Sequence, residues 1–498
     1  MVGLKKLLDN QWFFPIVMSY YGIMYIFFGE PYYMNDGLSM DGVVFSSFIP
    51  EYKRSFFFDT YYIHRVFPSV IVGVFFKYLP ISVSNHHVFI AFQILNLISI
   101  ALTCYFFKKL LILFKISFKN QLLAFTLLLI NFAILKFPFY LSVMTDSVAL
   151  VLSTMLLYYY IKRNTIGVVI CTIIASFTWP LSFYQGLIFI IFPFSTLPFY
   201  SLKNVYKITL KVISALFVVF ICVYLTYIKK MDTSIELVAR INKTLLPLSI
   251  IGLACIYVFF ALIFFNNNLF NIKLMVKKMK LINIMLACGV VALTLFIVYI
   301  HNPPPNKFYP LLYTLSNPFT HALMWPLHTI VSHAAFWGVL MILLMFFWTD
   351  FCKIISQMGW GLVLAFALNL YSFGIMPETR CLVNLLPWIA IFLIKAMNKY
   401  SYTNVFYITV GILCFVASKI WLVLNERGNN YYMQLDKNGS MGFPDQKMWM
   451  NVGPWMSEAM YYLQGEILLI FAGILFVMLY KFKRNTSNKI KLVRRSGS

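Results

Sequence analysis

The chain predicts an all-α, polytopic integral membrane protein with about fourteen transmembrane helices and a structured first outer loop carrying a re-entrant or interfacial helix. Three observations predict it. The 498 residues are 61% hydrophobic and 11% charged, with a mean hydropathy of +0.80, more apolar surface than a water-soluble fold of this size can hide. The apolar stretches recur at roughly 17–25 residues, the length that crosses a bilayer as a helix. They are continuous, not alternating, which selects helices over a closed barrel as the way to satisfy backbone groups in lipid. The net charge of +24 lies in short loops and the C-terminal tail, where the positive-inside rule accounts for it. Nucleic acid is therefore not an expected partner; the lipid bilayer is.

Lys5 and Lys6 place the N-terminus inside. The first apolar run, about 12–29, lacks a small-residue cleavage site and is expected to stay as a helix. Further helices are predicted near 87–107, 121–138, 147–161, 165–180, 184–200, 209–228, 247–266, 281–300, 327–348, 359–376, 381–397, 403–424 and 463–481. Segment 66–80 is apolar but short, bounded by Pro68 and Pro80 and carrying Lys77. Counting it as a span would reverse every later loop, so it is read as re-entrant or surface-lying. Residues 1–498 then form one polytopic domain, with an acidic outer loop at 30–86, a late outer loop at 425–462 and a basic tail at 482–498.

This threading puts twenty-five of the 40 Lys and Arg inside, and fourteen of the 16 Asp and Glu outside, with Asp9 and Asp350 the inside acids. Both termini are expected in the cytoplasm. The bias toward Lys, Asn, Ile and Phe suggests an AT-rich, bacterial genome and an inner (plasma) membrane location. The eight cysteines lie in or beside apolar segments without CxxC spacing and read as small core residues. NKT at Asn242 and NGS at Asn438 match glycosylation acceptor patterns. Helix interiors are nearly free of charge, Lys419 being the main exception, and no internal repeat is seen; both count against a transporter.

Chemistry is expected on the outer face. The first loop, EPYYMNDGLSMDGVVFSSFIPEYKRSFFFDTYYIHRVFPS, holds Glu30, Asp36, Asp41, Glu51 and Asp59 against Lys53, Arg54, His64 and Arg65. A carboxylate facing a cavity can act as general base or metal ligand. Asp146, in MTDS, begins a helix; it is either an N-cap or a second carboxylate at the membrane edge. Glu378 and Arg380, in PETR, lie between two outer helix ends, where an arginine can hold a phosphate through two parallel bonds. His301, His321 and His328 lack metal-ligand spacing, and no Walker loop, dinucleotide fingerprint or GxSxG is present. No cofactor is assigned, and a divalent cation is left open.

MDG at Met40–Gly42, DTYYIHRVFPS at Asp59–Ser69, MTDS at Met144–Ser147 and PETR at Pro377–Arg380 together resemble the GT-C glycosyltransferases. These are integral membrane enzymes using polyprenyl-phosphate-linked sugars. The resemblance covers the first 200 residues or so well and the rest in outline. It departs in lacking a C-terminal soluble domain and a tight DxD or ExD. It implies an acidic catalytic residue in the first outer loop, for which Asp41 is the best match, with Asp36 and Asp59 behind it. It implies a second acid, matched by Asp146, and a cation for the lipid phosphate, matched by Arg380 and Arg65, with His64 and Glu378 beside them. The donor would be a polyprenyl-phosphate sugar and the acceptor a glycan, lipid or protein. A surface-polysaccharide polymerase or ligase, working through the loop at 425–462, is the alternative; a lipid-linked sugar flippase or transporter is the third.

Overall fold

The computed structural model describes residues 10–32, 34–50, 60–225, 241–301, 311–425, 434–435, 441–442 and 446–496. Leaving pieces of seven residues or fewer unnumbered, its helices are α1 Phe13–Phe28, α2 Ser39–Ser46, α3 Phe67–Tyr78, α4 Asn85–Leu113, α5 Phe118–Leu129 and α6 Asp146–Ile161. There follow α7 Thr165–Ser176, α8 Pro180–Ile191, α9 Asn204–Val223, α10 Leu246–Phe260, α11 Leu281–His301 and α12 Leu311–Ala322. The chain ends with α13 His328–Trp337, α14 Val339–Gln357, α15 Trp360–Ser372, α16 Leu386–Met397, α17 Asn404–Ser418 and α18 Glu458–Ser496. A two-residue antiparallel pairing of 434–435 with 441–442 and an isolated antiparallel bridge between Ser201 and Asn266 are the β-structure among the described residues.

Every stretch predicted to be a helix contains one. Among the described residues, by length and composition, seven helices can cross a membrane, or eight when one bent pair is counted as a single span. Others are apolar but shorter, and the structure explains why several predicted spans are interrupted. The stretch 121–138 bends by 67° between α5 and the turns at Phe132–Tyr140. There Asn131 donates to the Leu127 and Leu128 carbonyls and accepts from the Ile134 N–H, doing with a side chain what the broken ladder cannot. The stretch 327–348 breaks at Gly338, whose φ of +65° favours glycine. The stretch 403–424 stops at Ser418, with Lys419 left-handed. Segment 66–80 forms the 12-residue α3, about 18 Å long and short of the roughly 30 Å of a hydrocarbon core; it packs along α4.

The centre of the bundle is α16. Ile389 through Ile394 are all buried, and α16 packs against α14, α5 and α6. Trp388 is fully buried, stacks on Phe189 of α8 at 5.3 Å, and donates its indole N–H to the Ser153 carbonyl at 2.9 Å. The Ser153 hydroxyl donates to the Asn384 carbonyl, and Asn384 Nδ2 donates to Asn369 Oδ1 at 3.0 Å. By contrast α9, α11 and α18 are mostly exposed along their apolar lengths, the pattern of helices that face lipid. Five cysteines are buried, but Cys255 on α10 and Cys288 on α11 are exposed and Cys381 is half-buried beside the charged groups described below. The reading of all eight as core residues is thus corrected: in lipid, an apolar residue loses nothing by facing outward.

Lys136 corrects the reading that Lys419 is the main interior charge. It is buried, 2.9 Å from Glu30, and donates to the Leu422 carbonyl. Glu30 also accepts from the Leu424 and Asn425 N–H groups at 2.6 and 2.9 Å. One ion pair thereby ties the end of α1, the break after α5 and the chain after α17. Removing one partner of a buried pair strands the other charge. Lys136→Met and Glu30→Gln should each lower the thermal unfolding midpoint of the purified protein. The double variant should lose less than the sum, by a coupling of roughly 0.5–3 kcal/mol. Strict additivity would show that the pair contributes nothing.

Candidate functional site

PETR sits at the entrance to the innermost helix, so the packing of α16 fixes its position. Pro387 falls in the first turn of α16, where a missing N–H costs nothing. Residues Thr379–Leu385 precede it as a tight 3₁₀ turn lying against α6. The Arg380 guanidinium is the point where three distant stretches meet. Its Nε donates to Glu378, its Nη2 lies 3.4 Å from Asp41 Oδ2, and its Nη1 lies 3.5 Å from the sulfur of Met144. MDG, MTDS and PETR therefore converge on one side chain.

Gly42 makes the approach of MDG achievable. A Cβ there would lie 2.9 Å from Val143 Cβ, closer than side chains tolerate, so glycine lets α2 lie against the turn before Asp146. Asp41, in the first turn of α2, keeps 43% of its side chain exposed. It is paired with Arg380 and reachable from solvent.

Asp146 behaves differently. The residue before it, Thr145, holds the cap position in a helical conformation and makes no side-chain cap bond; Asp146 is the first residue of α6. The capping explanation therefore does not account for its carboxylate. Asp146 is buried, and its Oδ1 has no hydrogen-bond partner among the described residues. Arg380 and Arg65 are the cations whose fields reach it. A buried carboxylate oxygen without a donor is costly.

Arg65 is the second cation. Its guanidinium is 4.8 Å from the ring centroids of both Tyr61 and Trp179, a two-sided cation–π seat. Its Nε is buried without an acceptor among the described residues. It feels both Asp146 and Arg380. His64 is placed as a tether: its Nδ1–H donates to the Ser176 carbonyl at 2.9 Å, and beside it Phe67 N–H donates to the Phe177 carbonyl at 2.9 Å. These bonds hold the end of the first loop to the turn that presents Trp179.

Asp36 lies apart from this group. It sits in a left-handed turn, φ +53°, and its Oδ2 accepts from Asn85 Nδ2 at 3.1 Å. Its role in the structure is to tie the loop to the start of α4. Asp59, Glu51, Lys53, Arg54 and Lys307 lie outside the described residues, as does Asn438. Asn242 accepts from the Thr244 and Leu245 N–H groups. Sequence reasoning missed His321, buried and close enough to act on Glu378, and Trp179 and Tyr61. Their only signals were a Trp-Pro pair at a helix start and aromatic crowding in the first loop. Among the described residues no group of three or more His, Cys, Asp and Glu is arranged to hold a metal.

Behind PETR lies an apolar cleft of about 180 Å³ between α10, α13, α14 and α15, lined by Phe259, Ile330, Met345, Leu382 and Leu385 among others. Phe259 and Met345 are exposed, so the cleft opens toward lipid. Its polar wall is closed on itself: Thr379 Oγ1 bonds His333 Nδ1 at 2.8 Å, and His333 Nε2–H donates to the Gly374 carbonyl at 3.0 Å. Thr379, bonded to the His333 that lines the cleft, immediately precedes Arg380 in the chain.

Burial pushes the Glu378 carboxyl up, but the Arg380 guanidinium against it more than offsets this and holds it below the usual carboxylate range. A carboxyl depressed in the folded state stabilises fully above the unfolded value and loses that contribution as pH falls through the folded one. The thermal midpoint of the wild type should exceed that of Glu378→Gln at neutral pH, and the gap should close in acid. A gap independent of pH would show that charge at Glu378 is immaterial. Arg380→Met, which strands Glu378, should cost roughly 3–5 kcal/mol. Asp41→Asn, at an exposed pair, should cost at most about 1 kcal/mol.

No family model, no curated protein and no solved structure matches the chain.

Proposed function

We propose that the protein is a membrane glycosyltransferase that moves a sugar from a polyprenyl-phosphate donor to a glycan, lipid or protein acceptor on the outer face, with inversion at the transferred carbon. The observation that carries this reading is the pairing of unmet needs in one place. Among the described residues, a buried carboxylate oxygen of Asp146 has no donor and a buried Nε of Arg65 has no acceptor. A ligand offering hydroxyl groups and an anionic oxygen supplies both. Tyr61, 37% exposed, adds a flat apolar face on which a sugar ring can pack. The lipid-facing cleft beside Thr379 supports a ligand that arrives within the membrane.

Roles follow from surroundings. Arg380 is already engaged by Glu378 and Asp41, so Arg65 is assigned to the phosphate, with Arg380 adding positive field. Asp41, exposed and within reach of the acceptor side, is the base. The acceptor oxygen forms a bond to the sugar carbon while its proton passes to Asp41. The bond from that carbon to the phosphate oxygen breaks, and the electron pair leaves on polyprenyl phosphate. Arg65 and Arg380 stabilise the charge that develops there. Asp146 accepts from a sugar hydroxyl and fixes the ring. One-step displacement of this kind inverts the centre, by analogy with inverting glycosidases. The basic loops support placing both termini in the cytoplasm.

The test uses membranes holding equal amounts of wild-type or variant protein, supplied with prenyl-phosphate hexoses and pentoses carrying labelled sugar. Asp41→Asn should lower transfer by roughly 10²–10⁴-fold, the range for loss of a general base. Asp146→Asn should also be severely impaired, and Arg65→Gln should raise the KM for donor. Full transfer by both aspartate variants would defeat the proposal. Normal addition of single sugars with shortened surface chains would favour a polymerase.

A further inference from the structure

His328, the first residue of α13, is fully buried. Its Nδ1 is 3.0 Å from the carbonyl oxygen of His321, and its Nε2 is 3.0 Å from the carbonyl oxygen of Gly453. Carbonyl oxygens only accept, and a neutral imidazole has a single N–H. In either neutral tautomer one ring nitrogen would turn its lone pair on a carbonyl oxygen. The imidazolium donates at both. We infer that His328 is held as a buried imidazolium, and that its two bonds make it a positioning residue for the frame behind PETR.

The two carbonyls belong to residues that abut PETR. His321 acts electrostatically on Glu378. Gly453 is packed so closely that a Cβ would meet the Pro377 carbonyl at 2.6 Å and the Ser332 hydroxyl at 2.2 Å. The imidazolium therefore fastens the end of α12 and the 453–455 turn to α13, on either side of the chain that presents Glu378 and Arg380. Two further contacts seat the ring: Trp325 and Tyr461 pack near-perpendicular to it at 4.7 and 5.9 Å, and the Tyr461 hydroxyl donates to the Pro326 carbonyl. His321 and Tyr461 adjoin this joint; on the elements packed against α13 stand Glu458 and Glu466 of α18, Asp350 and Lys353 of α14, and Arg380 with Glu378 before it, and Lys419 at the end of α17 bonds Ala335 and Asn451. None of this depends on which substrate the site takes.

The test is nitrogen NMR on the full-length protein, labelled with ¹⁵N in its histidine rings and held in lipid nanodiscs at neutral pH. The chain has 7 histidines, and the His328 pair is identified as the signals lost in His328→Gln. If that variant fails to fold, Gln substitution of the other histidines one at a time identifies the pair by elimination. The expected result is protons on both ring nitrogens of His328, with the Gly453 and His321 carbonyls as partners. His333, which accepts from Thr379, serves as internal contrast with one bare nitrogen. A bare nitrogen on His328 at neutral pH overturns the inference.

Discussion

The constraint on which the rest depends is the burial of α16, in which every residue but Lys395 is buried. A helix surrounded by others in a bilayer must present packing surface on every side, and Trp388 and the aliphatic run after it do so. Such a helix cannot shift along its axis without emptying the pocket that Trp388 fills between Phe189 and Phe366. Its N-terminal turn is therefore fixed in depth, and with it Glu378 and Arg380. The outer loop, the start of α6 and the turn at Trp179 are arranged around that fixed point.

The interior polar groups follow a second rule. At three places where the chain departs from a regular helix, a side chain completes the hydrogen bonding that water cannot supply. Asn131 does this at the break after α5, Lys136 with Glu30 does it for the chain after α17, and Lys419 does it between α13 and the 446–456 segment. These groups act as fasteners between elements far apart in sequence. Their spacing along the chain has no period, so each binds one particular junction.

The positions of helices were legible because apolar runs of membrane length have few other uses. Their interruptions were not. Nothing local distinguishes Asn131 as a bridging side chain from an asparagine in a polar loop, and the partner of Lys136 is more than a hundred residues away. The site was legible in part for a similar reason. Charged residues are scarce here, so Asp41, Asp146, Arg65, Glu378 and Arg380 stood out, and the structure gathers them. Asp36 stood out equally and is used elsewhere, since its left-handed turn and its bond to Asn85 are tertiary facts. His321 was overlooked because a histidine near a proline-rich loop carries no local mark of burial.

The seat of Arg65 has an optical consequence. Trp179 is almost wholly buried, and a guanidinium lies 4.8 Å from its ring. A positive charge fixed beside an indole shifts its emission, and an anion that drew the guanidinium toward itself or neutralised its field would shift it again. The protein thus carries, beside Arg65, a fluorophore sensitive to what that cation meets.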